Sequence, residues 1–310
     1  MDLQRNRSVA IIGAGTIGLS WAVLFATRGW RVCILDPHPD LQDAVKYAVN
    51  EAVPTLKALG IDVDKDATVG KIVIATSLEE AVGDVDLVQE NGPKRLEWKR
   101  ELFAKLEKFT TDRTVLASSS SSRSASAISF DIADGSRIIV DHPYNPPHVM
   151  PVVEVVPGNK TSEITTMRAM EIYASLEREP ILVKEEIPGF VGNRLQLALL
   201  REALYLVHEE VIDPIMLDRL MKGSLGVRWA AIGPLAAMRL GGGPAGAAHL
   251  MENVGKEMEH IELKLLKSDE MVIAANAVDR AYEDNDYASA AAIAGLAQIS
   301  LLHALKKAKV

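Results

Sequence analysis

The chain has 310 residues, too long for one ordinary domain and suited to two. Hydrophobic residues make up 48% and charged residues 25%, the balance of a globular chain, which excludes extensive disorder. With 34 Lys and Arg against 42 Asp and Glu, the net charge is -8, so no cation excess exists to bind nucleic acid or an anionic membrane.

A polar N-terminus leads straight into the apolar run 9–12, leaving no room for a signal peptide before that strand. A helix pattern covers 17–28, and a second apolar run covers 31–35. Cys33 in that run is the single cysteine and cannot form an internal disulfide, which fits a reducing compartment. Further strands are predicted at 71–75, 86–90, 115–118 and 137–141, with helical stretches between most of them, the clearest at 95–109. The alternation predicts a parallel sheet covered on both faces. Residues 151–156 read as a strand, 161–176 as a helix and 180–183 as a strand. After Pro188 the chain turns Ala-, Leu- and Met-rich, with helices predicted at 193–210, 213–221, 245–265 and 288–307. The expected class is α/β: a Rossmann-type doubly wound sheet over 1–187, then an all-α domain over 188–310. No apolar run suffices for a membrane span, and a cytoplasmic location is expected.

Gly13-Ala14-Gly15-Thr16-Ile17-Gly18 follows a strand and opens a helix. In that context Gly13 makes the tight turn, Gly15 lets a pyrophosphate approach the backbone, and Gly18 lets the helix pack on the strand. Phosphates are drawn to the N–H groups and dipole at the helix start, where Thr16 and Ile17 lie. Asp36 ends the next strand, where a carboxylate accepts both ribose hydroxyls of NAD and repels the 2′-phosphate of NADP. NAD is the expected cofactor.

Three more segments carry chemistry. The serine run 118–122 follows a strand, at the carboxyl edge where α/β sheets bind ligands. His142-Pro143-Tyr144-Asn145-Pro146-Pro147 also follows a strand, and its prolines suggest a rigid turn that holds the histidine. Glu154 stands inside the apolar run 152–156, so it is expected to be buried and to need a partner, for which His142 is the candidate. Oxidising a secondary alcohol needs a base and a hydride acceptor; His142 and NAD meet those needs. Glu154 would stabilise the imidazolium, while Ser121 and Asn193 would hold the substrate oxygen. Arg228 is expected to grip a substrate carboxylate through two parallel hydrogen bonds. Trp229 beside it belongs either in the core or against a quaternary ammonium. The seven histidines are scattered without ligand spacing, so no metal is expected.

From Val9 to about Leu240 the sequence resembles the L-3-hydroxyacyl-CoA dehydrogenase superfamily, and most closely its lambda-crystallin / L-gulonate 3-dehydrogenase branch. The carriers are GAGTIG (13–18), the acid at 36, SSSSS (118–122), HPYNPP (142–147), VVEVVP (152–157), PGFVGNRLQ (188–196) and GVRWAAIGPL (226–235). The resemblance implies Ser121, His142, Glu154 and Asn193 as catalytic positions. It implies Glu90, Lys99, Ser121 and Asn145 near the cofactor, and a helical domain that mediates a homodimer. A small hydroxy or keto acid is the implied substrate, L-gulonate-like in the first place. L-carnitine, a 3-hydroxyacyl-CoA and a non-catalytic, crystallin-like use are the alternatives. Pro93-Lys94 departs from the family's usual Pro-Glu, placing a cation at an acidic cofactor contact. Residues 49–71 are shorter than the segment that carries the CoA-binding arm in acyl-CoA enzymes, which counts against a CoA thioester.

Overall fold

The computed structural model describes residues 7–258, 260, 261, 263, 265–283 and 287–308. Its contacts group the chain into two compact units, Met1–Arg194 and Leu195–Val310.

The first unit is built on one sheet. Its strands are β1 (Ser8–Ile12), β2 (Arg31–Leu35), β3 (Ile72–Ile74), β4 (Leu87–Glu90), β5 (Val115–Ser118), β6 (Ile138–Pro143), β7 (Val152–Pro157) and β8 (Glu179–Leu182). Their order is β3-β2-β1-β4-β5-β6-β7-β8. β1 lies between β2 and β4, so the strand order reverses there and a ligand crevice opens at the carboxyl ends.

The strands are apolar on both faces because helices cover both. Val9 and Ile11 face one core with Trp21, Phe25, Leu56 and Tyr173. Ala10 and Ile12, pointing the opposite way, join Phe103, Leu106 and Ile128 in the other. The first core is capped by the helices Thr16–Thr27, Leu41–Ala58 and Glu163–Ser175, and the second by Leu96–Phe109 and Ala125–Ile128.

The sheet departs from the expected all-parallel arrangement at one place: β6 and β7 pair antiparallel. The segment 144–151 that joins them is too short for a crossover, which needs a dozen residues or more, so the chain must double back. The reversal sets His142 opposite Glu154 in the register.

The second unit is helical. Pro214–Met221 is capped by Asp213, whose Oδ1 accepts the Met216 N–H at 2.9 Å. A π-helical turn, Lys222–Gly226, leads to the helices Val227–Ile232 and Pro234–Gly241. The helix expected over 245–265 covers Gly246–Met258. Ile261, Leu263 and Leu265 repeat every second residue, a pattern a helix cannot keep on one face; residues 259, 262 and 264 lie outside the described residues. Ser268–Ala281, not foreseen from the sequence, and Tyr287–Ala308 follow. Among the described residues, no helix is long and apolar enough to cross a membrane.

Candidate active site

The dinucleotide turn forms at the end of β1. Gly13 has φ 95°, and a Cβ there would lie 2.9 Å from the backbone of Asn91. Gly18 is more constrained: its Cβ would fall 1.9 Å from the Gly13 carbonyl oxygen. Gly15 has open space instead and precedes the helix Thr16–Thr27 without a side-chain cap, so the first-turn N–H groups at Thr16 and Ile17 remain for an anion. Asp36 braces this turn. Its Oδ2 accepts the Ala14 N–H at 2.7 Å and its Oδ1 accepts the His38 N–H at 2.8 Å. A cavity of about 430 Å³ opens beside it, lined by Gly13, Leu35, Asp36, Leu78, Trp98 and Lys105. Uncapped helix start, open glycine and carboxylate-edged cavity together fit a dinucleotide.

Glu90 and Lys99 are placed differently from simple cofactor contacts. Both are buried, and Lys99 Nζ donates to the two Glu90 oxygens at 2.7 and 2.6 Å. Glu90 also accepts from Ser118 Oγ at 2.6 Å and from the Gly92 N–H at 2.7 Å. The group ties β4, β5 and the helix Leu96–Phe109 together beneath the crevice. Lys94 is exposed, and its carbonyl accepts Arg123 Nε at 3.3 Å.

The antiparallel pair builds the chemical centre. His142 Nδ1 and Glu154 Oε2 lie 2.7 Å apart, both side chains nearly buried. Glu154 Oε1 accepts the N–H groups of Val191 and Gly192, each at 3.0 Å. Burial works to raise the Glu154 pKa, but hydrogen bonds from His142, Gly192 and Val191 outweigh it and hold the carboxyl below its ordinary value. An ionised carboxylate only accepts, so His142 Nδ1 carries a proton, and in the neutral imidazole Nε2 then keeps the lone pair. Asn193 Nδ2 donates to the Ser121 carbonyl at 3.3 Å, joining the serine run to the segment after Pro188. Asn145 is exposed in the turn after β6.

Sequence reasoning passed over Tyr144. Its ring centroid lies 5.7 Å from that of His142, and its hydroxyl occupies the space a Cβ on Gly192 would need. Burial, then the Glu154 charge, push its pKa up. Its position inside HPYNPP was the available signal. His148 Nδ1 meets Ser20 Oγ at 2.7 Å, clasping the turn to the dinucleotide helix. Burial and nearby Arg178 lower its pKa to about 4, so it is neutral at ordinary pH. Arg228 and Trp229 stand on Val227–Ile232 of the second unit, Arg228 exposed and Trp229 at 36% exposure, which removes Trp229 from a core.

Comparison with known proteins agrees with this construction. The profile "3-hydroxyacyl-CoA dehydrogenase, NAD binding domain" matches residues 8–186, and "3-hydroxyacyl-CoA dehydrogenase, C-terminal domain" matches 189–289. The chain belongs to the 3-hydroxyacyl-CoA dehydrogenase family. As in that family, its cofactor is NAD, and it is a dehydrogenase. A 3-hydroxyacyl-CoA dehydrogenase of Gibberella moniliformis is 40% identical over 267 residues, covering 85% of this chain and 82% of that one. An L-carnitine dehydrogenase of Streptomyces coelicolor is 37% identical over 256 residues, covering 83% and 80%. Among solved structures, the NAD+-dependent dismutase FHMPC 5-dehydrogenase superposes with a TM-score of 0.81 at 26% identity, over 97% of this chain and 99% of that one.

Proposed function

We propose that the protein oxidises the 3-hydroxyl of a small hydroxy acid of the L-carnitine type, with His142 as general base. The observation that carries this reading is the His142–Glu154 contact at 2.7 Å, with the second Glu154 oxygen held by two backbone N–H groups. NAD, when bound, supplies the hydride acceptor. His142 Nε2 takes the hydroxyl proton as the carbon gives up its hydride, leaving a keto group. Glu154 keeps the imidazole tautomer and stabilises the imidazolium that forms. Ser121 and Asn193 hold the substrate oxygen, and Arg228 takes the substrate carboxylate.

An L-gulonate-like substrate stood first in the sequence reading, with L-carnitine as the alternative. Several 31–38% identical relatives are L-carnitine dehydrogenases, and they favour the alternative. Tyr144 adds a physical reason: its aromatic ring beside His142 can face a quaternary ammonium. The protein is further proposed to act as a homodimer in the cytoplasm.

NADH absorbance decides the substrate, with L-carnitine, L-gulonate, 3-hydroxybutyrate and 3-hydroxybutyryl-CoA offered with NAD. L-carnitine is expected to give the highest kcat/KM. Turnover of the thioester alone would replace this reading with the acyl-CoA activity named for the Gibberella relative. Turnover of none would leave a non-catalytic NAD-binding role. Arg228→Met is expected to raise KM for the acid with little change in kcat.

A further inference from the structure

Asp141 lies on β6 next to His142, is 0% exposed, and has no hydrogen-bond partner at either carboxylate oxygen. Successive strand residues face opposite sides, so Asp141 points away from the His142–Glu154 pair. The polar group against it is the Tyr173 hydroxyl of the helix Glu163–Ser175. That hydroxyl donates to Gln89 Oε1 on β4. Gln89 Nε2 in turn donates to Ser119 Oγ at 2.9 Å, and Trp21 Nε1 donates to the same oxygen at 3.0 Å. A line of buried polar groups thus runs from Asp141 to the serine run that contains Ser121, and to the helix of the dinucleotide turn.

The directions of these bonds carry information. Trp21 Nε1 and Gln89 Nε2 both donate to Ser119 Oγ, and the Gln89 amide presents its NH2 to Ser119 and its oxygen to Tyr173. Tyr173 then has its hydroxyl proton committed to Gln89, and its oxygen can serve Asp141 only as an acceptor. A charged Asp141 would be buried and unpaired for as long as the Tyr173 proton stays on Gln89; a protonated one can donate to Tyr173 and complete the line. Burial raises its pKa to about 7, and the Tyr173 hydroxyl opposes the rise because it can donate to the charged form.

We propose that Asp141 is a positioning residue whose proton sets the direction of the Tyr173–Gln89–Ser119 hydrogen bonds and thereby holds the serine run in its cofactor-binding form. This rests on the assignment of Ser121 to the NAD site above. When the proton leaves, the carboxylate captures the Tyr173 O–H. Gln89 Oε1 then loses its donor, and the amide no longer has a reason to present its NH2 to Ser119. Tyr173 is the titratable group facing Asp141 from the helix packed on it. Gln89 from β4, Trp21 from Thr16–Thr27 and Val155 opposite on β7 are neutral.

The test compares wild type, Asp141→Asn and Tyr173→Phe by NADH fluorescence titration and by kcat/KM across neutral pH. Wild type is expected to lose about fivefold in NADH affinity as pH rises through neutrality. Asp141→Asn, a permanent donor, should lack that step. Tyr173→Phe breaks the line and should lack the step too. Coincident pH profiles for wild type and Asp141→Asn would overturn the proposal and leave Asp141 a matter of stability alone. The binding titration needs no substrate, so a failed hydroxy-acid assay would sink the proposed reaction without deciding this point.

Discussion

At the scale of residues, the site depends on one carboxylate held from three directions. Glu154→Gln removes the charge that fixes the His142 tautomer, and His142→Gln removes the base. Either change is expected to lower kcat/KM by about 10²- to 10⁴-fold while NADH titration shows little loss of affinity. Because the folded-state pKa of Glu154 is depressed, its contribution to stability is present above the unfolded value of about 4.5 and is lost as pH falls below it. Acid unfolding followed by circular dichroism should therefore begin at higher pH in wild type than in Glu154→Gln. Asp141 has the opposite sign. Its folded pKa of about 7 lies above the ordinary carboxyl value of 3.8, so its contribution is complete below about 3.8 and is lost as pH rises through about 7. That gap corresponds to about 4 kcal/mol. The melting temperature of Asp141→Asn should accordingly gain on wild type from acid to neutral pH, then keep a constant lead.

At the scale of elements, the junction of β1 and the helix Thr16–Thr27 has no room for a side chain at Gly13 or Gly18, while Gly15 stays open. In Gly18→Ala the new methyl would lie 1.9 Å from a backbone oxygen, so the helix must move off the strand. Overpacking of this kind costs about 1–3 kcal/mol, and the shifted helix start should also weaken NAD binding, read together by urea unfolding and NADH titration. The turn was legible in the sequence because its whole requirement is local: a strand, three glycines and a helix within a few residues. The β6–β7 hairpin was less so. The run 151–156 was readable as a strand, but its direction depends on how short a path the prolines at 146 and 147 allow.

At the scale of the whole molecule, the two units differ in how they hold apolar surface. The first buries it on both sheet faces. In the second, Leu195, Leu199, Leu220, Leu235, Leu240 and Leu296 are each at least 44% exposed. An isolated domain rarely leaves so much apolar surface in water, and this supports the proposed pairing with a second copy. Analytical ultracentrifugation should find a dimer at micromolar concentration; a monomer throughout would refute the pairing.

The α/β class, the dinucleotide turn and the His142–Glu154 pairing could be read from the chain alone, because each rests on short-range patterning or on motifs kept in order. Other features required distant segments to meet. Glu154 receives its backbone donor from Gly192, 38 positions away. Lys99 meets Glu90 in a buried ion pair between a helix and β4. Asp141, at the end of the predicted strand 137–141, is left by packing with no hydrogen bond at either carboxylate oxygen. Burial and hydrogen-bond satisfaction depend on what lies next to a group in space, and one-dimensional periodicity reports only the face on which a residue falls.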